Sequence, residues 1–155
     1  MPRLPKPADI SRIPGALRLY QVSSTITGVF LLLLCIEMVI KYGFGHEIEM
    51  GGAQGFLALV PTDTVAAINL STGILIAHGW FYVLYLFADF RLWSLMRWPF
   101  WRFVLIALGG VVPTLSFIVE VPVARTVKRF LAENSEKTAN AEKTAAVAEK
   151  AQAPA

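Results

Sequence analysis

The stretch LYQVSSTITGVFLLLLCI, residues 19–36, has no charged side chain and is bounded by Arg18 and Glu37. At 1.5 Å rise per residue it approaches the roughly 20 residues needed to cross a bilayer. Its apolar run is too long for the roughly 7–15-residue core of a signal peptide, and no small-x-small cleavage site follows it. It reads as a retained membrane anchor. Two further uncharged runs occupy residues 64–88, with His78 counted as neutral, and residues 103–119. Extended to their natural ends, the three runs predict transmembrane helices near 18–42, 64–88 and 100–122.

The composition of the 155-residue chain agrees. It is 55% hydrophobic and 16% charged, with a mean hydropathy of +0.57. Soluble domains carry roughly 25% charged residues. An ordinary soluble enzyme and a nucleic-acid-binding domain are excluded, because the basic residues flank the apolar runs instead of forming a phosphate-binding surface. The only cysteine is Cys35, so no intrachain disulfide can form and the compartment cannot be read from cysteine usage.

The expected fold class is therefore all-α: an integral membrane three-helix bundle spanning residues 18–130. Residues 1–17 carry Pro2, Pro5, Pro7 and Pro14 and read as an extended Pro-rich arm. Residues 131–155 repeat EKTA at 136–139 and 142–145 and offer no apolar face, so a disordered Ala/Glu/Lys tail is expected. The loop at 43–63 is Gly-rich. Its patch Phe56-Leu57-Ala58-Leu59-Val60 is too short to span and is expected to lie in the interface or against a partner subunit.

With three spans, seven Lys and Arg fall beside the N-terminus and the second loop, against Lys41, Arg125, Lys128 and Arg129 on the other side. The bias favours a bacterial plasma-membrane protein, multi-pass, with its N-terminus in the cytoplasm and its C-terminus outside. The basic residues after the third helix weaken it. Trp80, Tyr82, Tyr85, Trp93, Trp98 and Trp101 crowd the inner half of helix two and the second loop. They read first as an interfacial belt, with a lipid or cofactor pocket as the other possibility.

Ionisable groups within spans are functional suspects. Glu37 and Lys41, spaced i, i+4, are expected to neutralise each other, with Glu120 joining the same outer rim. His78 falls near the bilayer centre at the depth of Thr27 and Thr114, which predicts a Thr–His–Thr hydrogen-bonded seam between the helices. Haem ligation lacks a second deep histidine. His46, Glu47 and Glu49 form H-E-x-E, which is not a zinc-binding spacing, and read as a solvated acidic loop. The small-xxx-small pairs Ser24–Gly28, Gly73–Ala77 and Gly110–Thr114 are candidate packing faces. Gly109, Gly110 and Pro113 mark a kink in helix three. No catalytic, cofactor-binding or metal-binding constellation is read.

Three signatures carry a family resemblance. They are Gly28-Val29-Phe30-Leu31-Leu32-Leu33-Leu34 with Met38-Val39-Ile40-Lys41-Tyr42, then Ala77-His78-Gly79-Trp80-Phe81-Tyr82-Val83-Leu84-Tyr85, and Arg97-Trp98-Pro99 with Val112-Pro113-Thr114-Leu115-Ser116-Phe117 and Glu120. Together they resemble the actinobacterial branch of a family of small bacterial integral membrane proteins grouped as a domain of unknown function. Many members carry a glutamate before the glycine of helix one, where this chain has Thr27. The resemblance implies three helices and no known reaction. By analogy with small accessory subunits, it suggests a place in the actinobacterial respiratory cytochrome bc–oxidase supercomplex.

The expectation from sequence is a non-enzymatic accessory or structural subunit, with membrane lipids and a larger membrane protein complex as partners and no nucleic acid. The alternative is a small oligomeric transporter or proton-linked carrier working around His78.

Overall fold

The computed structural model describes residues 4–152. It comprises α1 (Pro7–Ile10), α2 (Ile13–Phe44), β1 (His46–Gly52), β2 (Gly55–Pro61), β3 (Ile68–Asn69), α3 (Leu70–Met96), α4 (Phe100–Leu108) and α5 (Leu115–Gln152). The chain is mostly helical, with a small sheet at one end.

Two helices are long and apolar enough to cross a membrane: Pro7–Phe44, which joins α1 to α2, and Leu70–Met96. They run antiparallel. Tyr20 meets Tyr85 at one level, Phe30 meets Phe81 further along, and Glu37 shares a groove with Ser71 and Thr72 beyond. The second span begins six residues later than the sequence suggested. Residues 64–67 are loop and Ile68–Asn69 is strand, and the helix starts where the Asn69 side chain accepts from Thr72 N–H as an N-cap. It runs on through Asp89 and Arg91 to Met96.

The third expected span is broken. α4 stops at Leu108, residues 109–114 turn, and α5 starts at Leu115. Two glycines weaken helix propagation here, and Pro113 lacks the N–H that would continue it, while Thr114 adopts φ 67°. Sequence reasoning predicted a kink at this site; the chain instead reverses. Trp98 and Arg102 of the α4 end lie across a groove from Val123 and Thr126 of α5. Gln21 Nε2 donates to Glu120 Oε1 at 2.8 Å, and Leu131 and Asn134 lie beside Ile10 and Pro14. α5 therefore runs back towards the start of α2. The α4–α5 hairpin reaches about half-way along the helix pair and returns.

The ends of the chain also depart from expectation. The Pro-rich segment is helical from Pro7, and Ile13, Ala16 and Leu17 are core residues. Pro7 and Pro14 sit in the first turns of α1 and α2, where an N–H would have no helical partner. The two helices are separated at Ser11–Arg12, so the segment is not one helix. The tail is the continuation of α5 through Gln152. Ala, Glu, Lys and Gln are strong helix formers, and the packed first half of α5 has already met the cost of nucleation. Residues 1–3 and 153–155, including Arg3, lie outside the described residues.

Residues 43–63, expected as a loop, contain most of an antiparallel sheet ordered β2-β1-β3. Gly45 caps α2 at φ 69°, its N–H bonded to the Ile40 and Lys41 carbonyls, and so releases the chain into β1. Gly52 pairs with Gly55 across the two-residue turn Ala53-Gln54.

The core lies at the opposite end from the sheet. Ile13, Ala16 and Tyr20 from α2 join Tyr85, Ala88 and Leu92 from α3, Ile106 from α4, and Ala124 and Val127 from α5. Outward-facing apolar residues such as Val39, Trp80, Val83 and Ile118 cover the flanks of the helices, as lipid-facing side chains would.

Candidate functional site

The polar groups of the molecule gather at the sheet end, within the bundle and at the opposite end. At the sheet end, Lys41 projects from the last turn of α2 and pairs with Glu47. Asn69 Nδ2 donates to the other Glu47 oxygen at 3.3 Å. The Lys41 ammonium holds the Glu47 carboxyl below the ordinary carboxylate range, with the neighbouring hydrogen-bond donors adding to the effect. Glu49 Oε1 accepts the backbone N–H groups of Ala66 and Ala67, each at 2.6 Å. Glu47 and Glu49 are buried on one face of β1, so the H-E-x-E stretch is not a solvated acidic loop. Strand periodicity puts both acids on the same side, where Glu47 ties the sheet to Lys41 of α2 and to the Asn69 cap of α3, and Glu49 holds the loop before β3. His46 Nδ1 lies 2.7 Å from the Phe44 carbonyl and takes no part.

Lys41 is thus paired with Glu47 and not with Glu37. The Glu37 side chain is buried, and its Oε1 has no hydrogen-bond partner. It lines a small cavity of about 80 Å³ with Lys41, Ser71 and Thr72. Glu120 does not join this rim. The reversal of the third helix carries it to Gln21, towards the other end of the bundle.

The expected seam around His78 takes a different form. Thr27 Oγ1 donates to the Phe81 carbonyl at 3.0 Å, bonding α2 to α3 directly. The His78 ring is half-buried and parallel to Tyr82 at 6.2 Å, with Nδ1 unpartnered. Thr114 is exposed in the hairpin turn and belongs to no seam. Of the packing pairs, Ser24 and Gly28 are buried. Gly110 lies against Tyr82, where a Cβ would stand 2.4 Å from the ring. Gly73 faces open space.

The group that sequence reasoning missed is Asp89. It is completely buried, and neither carboxylate oxygen has a hydrogen-bond partner. It lies within electrostatic range of the Tyr20 and Tyr85 hydroxyls. Tyr85 OH donates to the Ile106 carbonyl, whereas the buried Tyr20 hydroxyl is unpartnered. Ending helix two at Ala88 put Asp89 in the second loop. The signal available was Leu92 and Met96, which lie three and seven residues on and continue the same apolar face.

A third cluster closes the opposite end. Trp98, Trp101 and Arg102 stand at the mouth of the α4–α5 groove, with the Arg102 guanidinium 5.3 Å and 5.8 Å from the two indole rings. Among the described residues, no group of three or more His, Cys, Asp or Glu is placed to hold a metal ion.

These features define a small, mostly helical protein with two membrane-length helices, a helical hairpin packed against them and a small sheet. Residues 17–125 match the family described as Domain of unknown function (DUF3817), and the chain belongs to that family. It is 31% identical over 112 residues to an uncharacterised protein of Mycobacterium leprae, covering 72% of this chain and 75% of that one. An uncharacterised protein of Mycobacterium tuberculosis is 31% identical over 111 residues, with the same coverage. The actinobacterial kinship expected from the sequence holds. No solved structure matches the chain.

Proposed function

We propose that this chain is a non-catalytic accessory subunit of a larger bacterial membrane complex, with the sheet outside and both ends of the chain in the cytoplasm. The hairpin brings Arg125, Lys128 and Arg129 to the end that already carries Arg12, Arg18, Arg91, Arg97 and Arg102. Lys41 alone remains beside the sheet with Glu47, Glu49 and Asp63. A positive-inside reading of that distribution is much stronger than one based on three spans.

The observation that carries the subunit reading is the outer sheet. β2 is an edge strand, and Phe56, Leu57 and Leu59 on it are 76%, 56% and 56% exposed. Tyr42 and Phe44 add to the apolar surface close by. A strand edge with unpaired backbone groups and large bare side chains is ordinarily covered, and a partner subunit would cover it. The respiratory cytochrome bc–oxidase supercomplex is the first assembly to examine, given the actinobacterial relatives.

The test is purification from native membrane in mild detergent, with a photo-crosslinking residue at Phe56. Stoichiometric co-migration and a crosslink from position 56 to one defined subunit are expected. A lone oligomer without crosslinked partners would sink the reading.

The second reading is a proton-linked carrier. Asp89 favours it more than His78 does, because an unpartnered carboxyl inside a membrane bundle is unusual without a task. pH-driven flux in liposomes that disappears in Asp89→Asn would favour it.

A further inference from the structure

The α4–α5 hairpin encloses a groove of about 250 Å³ that is graded in polarity along its length. Leu105, Ile118 and Val119 line it towards the hairpin turn, and Trp98, Arg102 and Thr126 line it at the open ends of the two helices. Pro122 lies in the wall between them. Its missing N–H leaves the Ile118 carbonyl without its usual helical donor.

Arg102 is the chemical centre of this groove. Its guanidinium rests against the Trp98 and Trp101 rings, which limits the conformations it can adopt. Among the described residues, no carboxylate lies within 4.0 Å of it. Arg97, Arg125 and Arg129 are exposed at the same end and add to the positive field. An arginine held over aromatic rings without an acidic partner presents a fork of donors that matches a phosphate. Indole rings favour the headgroup level, and the apolar walls run inward from there.

We propose that this groove binds one anionic phospholipid, with its phosphate on Arg102 and an acyl chain along Leu105, Ile118 and Val119. The charge at the mouth selects an anionic headgroup over a zwitterionic one. The gradient from Arg102 to Ile118 has the same direction as the gradient within the lipid. The site requires membrane embedding but no protein partner, so it stands or falls separately from the accessory-subunit reading.

The probe is phosphatidylglycerol against phosphatidylcholine of matched chains, bound to the detergent-solubilised full chain and read by native mass spectrometry. Preferential retention of one phosphatidylglycerol per chain is expected. Arg102→Gln should reduce that preference about fivefold, the equivalent of the roughly 1 kcal/mol each basic residue contributes near an anionic surface. Arg91→Gln, at the same end but outside the groove, should change it much less. Leu105→Trp, which fills the groove and leaves Arg102 in place, should reduce retention with helix content unchanged by circular dichroism. Equal effects of Arg102→Gln and Arg91→Gln would overturn the proposal in favour of diffuse surface attraction. So would displacement of the lipid by inorganic phosphate at equal concentration, or a lipid-free dimer that Leu105→Trp dissociates.

Discussion

The Gln21 side-chain amide donates to Glu120 at 2.8 Å, and this bond shows which way the last helix runs. Gln21 lies in the third turn of α2. A third helix crossing the whole bilayer from Pro99 would have carried Glu120 to the Lys41 end instead. The bond belongs to a hairpin whose two arms end on the same side.

Cysteine accessibility tests the hairpin directly. In a Cys35→Ser background, Ser11→Cys and Asn140→Cys are expected to react with a membrane-impermeant thiol reagent from the same side. Gln54→Cys, in the β1–β2 turn, should react from the other. Labelling of positions 11 and 140 from opposite sides would restore three full spans.

Glu47 makes the sheet's attachment sensitive to acid. Its carboxyl is held below the ordinary range by Lys41, so the folded pKa lies below the unfolded one. Such a group contributes stability that is fully present above its unfolded pKa of roughly 4.3, and that is lost as pH falls through the folded value. Thermal unfolding followed from pH 6 down to pH 3 should show this loss. Glu47→Gln should flatten the slope, and an unchanged slope would mean the pair contributes nothing.

Asp89 carries a stability cost. An unsatisfied buried polar group costs about 1–3 kcal/mol, and Asp89→Leu removes it. The denaturation midpoint of the detergent-solubilised protein should rise. A fall would mean that the carboxyl has a partner. If the same variant also loses a biological activity, the strain is kept for that activity.

Two glycines expected from sequence to pack helices should behave oppositely. A Cβ on Gly110 meets the Tyr82 ring at 2.4 Å, so Gly110→Ala forces the ring or the hairpin to move, at about 1–3 kcal/mol. Gly73 has nothing within 4 Å, and Gly73→Ala should be neutral or stabilising by up to about 1 kcal/mol. Paired unfolding midpoints decide it.

The two long helices were legible because an apolar run of membrane length has few other readings, and residues 19–36 form the centre of the first. The sheet was not. β1 alternates, but its inward residues are Glu47 and Glu49, so a hydrophobic pattern that marks strands by their buried face passed over it. The hairpin was half legible. Gly109, Gly110 and Pro113 announced a disturbance, yet whether a chain kinks or reverses depends on what its second arm meets. Here Ala124 and Val127 are buried in the core with Ile13 and Ala16, a tertiary fact. The polar site failed for a related reason. Three full spans put Glu37, Lys41 and Glu120 at one rim, and the reversal of the third carries Glu120 to the opposite end. Asp89 escapes the sequence reading because a charged residue ordinarily marks the end of an apolar run, whereas α3 continues through it to Met96.

The turn at residues 109–114 also changes what synthesis of this chain demands. In the proposed orientation α4 and α5 fold back from the side they started on, and among the described residues the stretch 41–69 is what must be carried through the bilayer as the protein is made. Its acidic side chains are Glu47, Glu49 and Asp63, and its one lysine or arginine is Lys41. A translocation machine that retains lysine and arginine would then meet a single one, Lys41, which Glu47 neutralises in the folded protein. The last span-like segment needs no export of the basic residues that follow it.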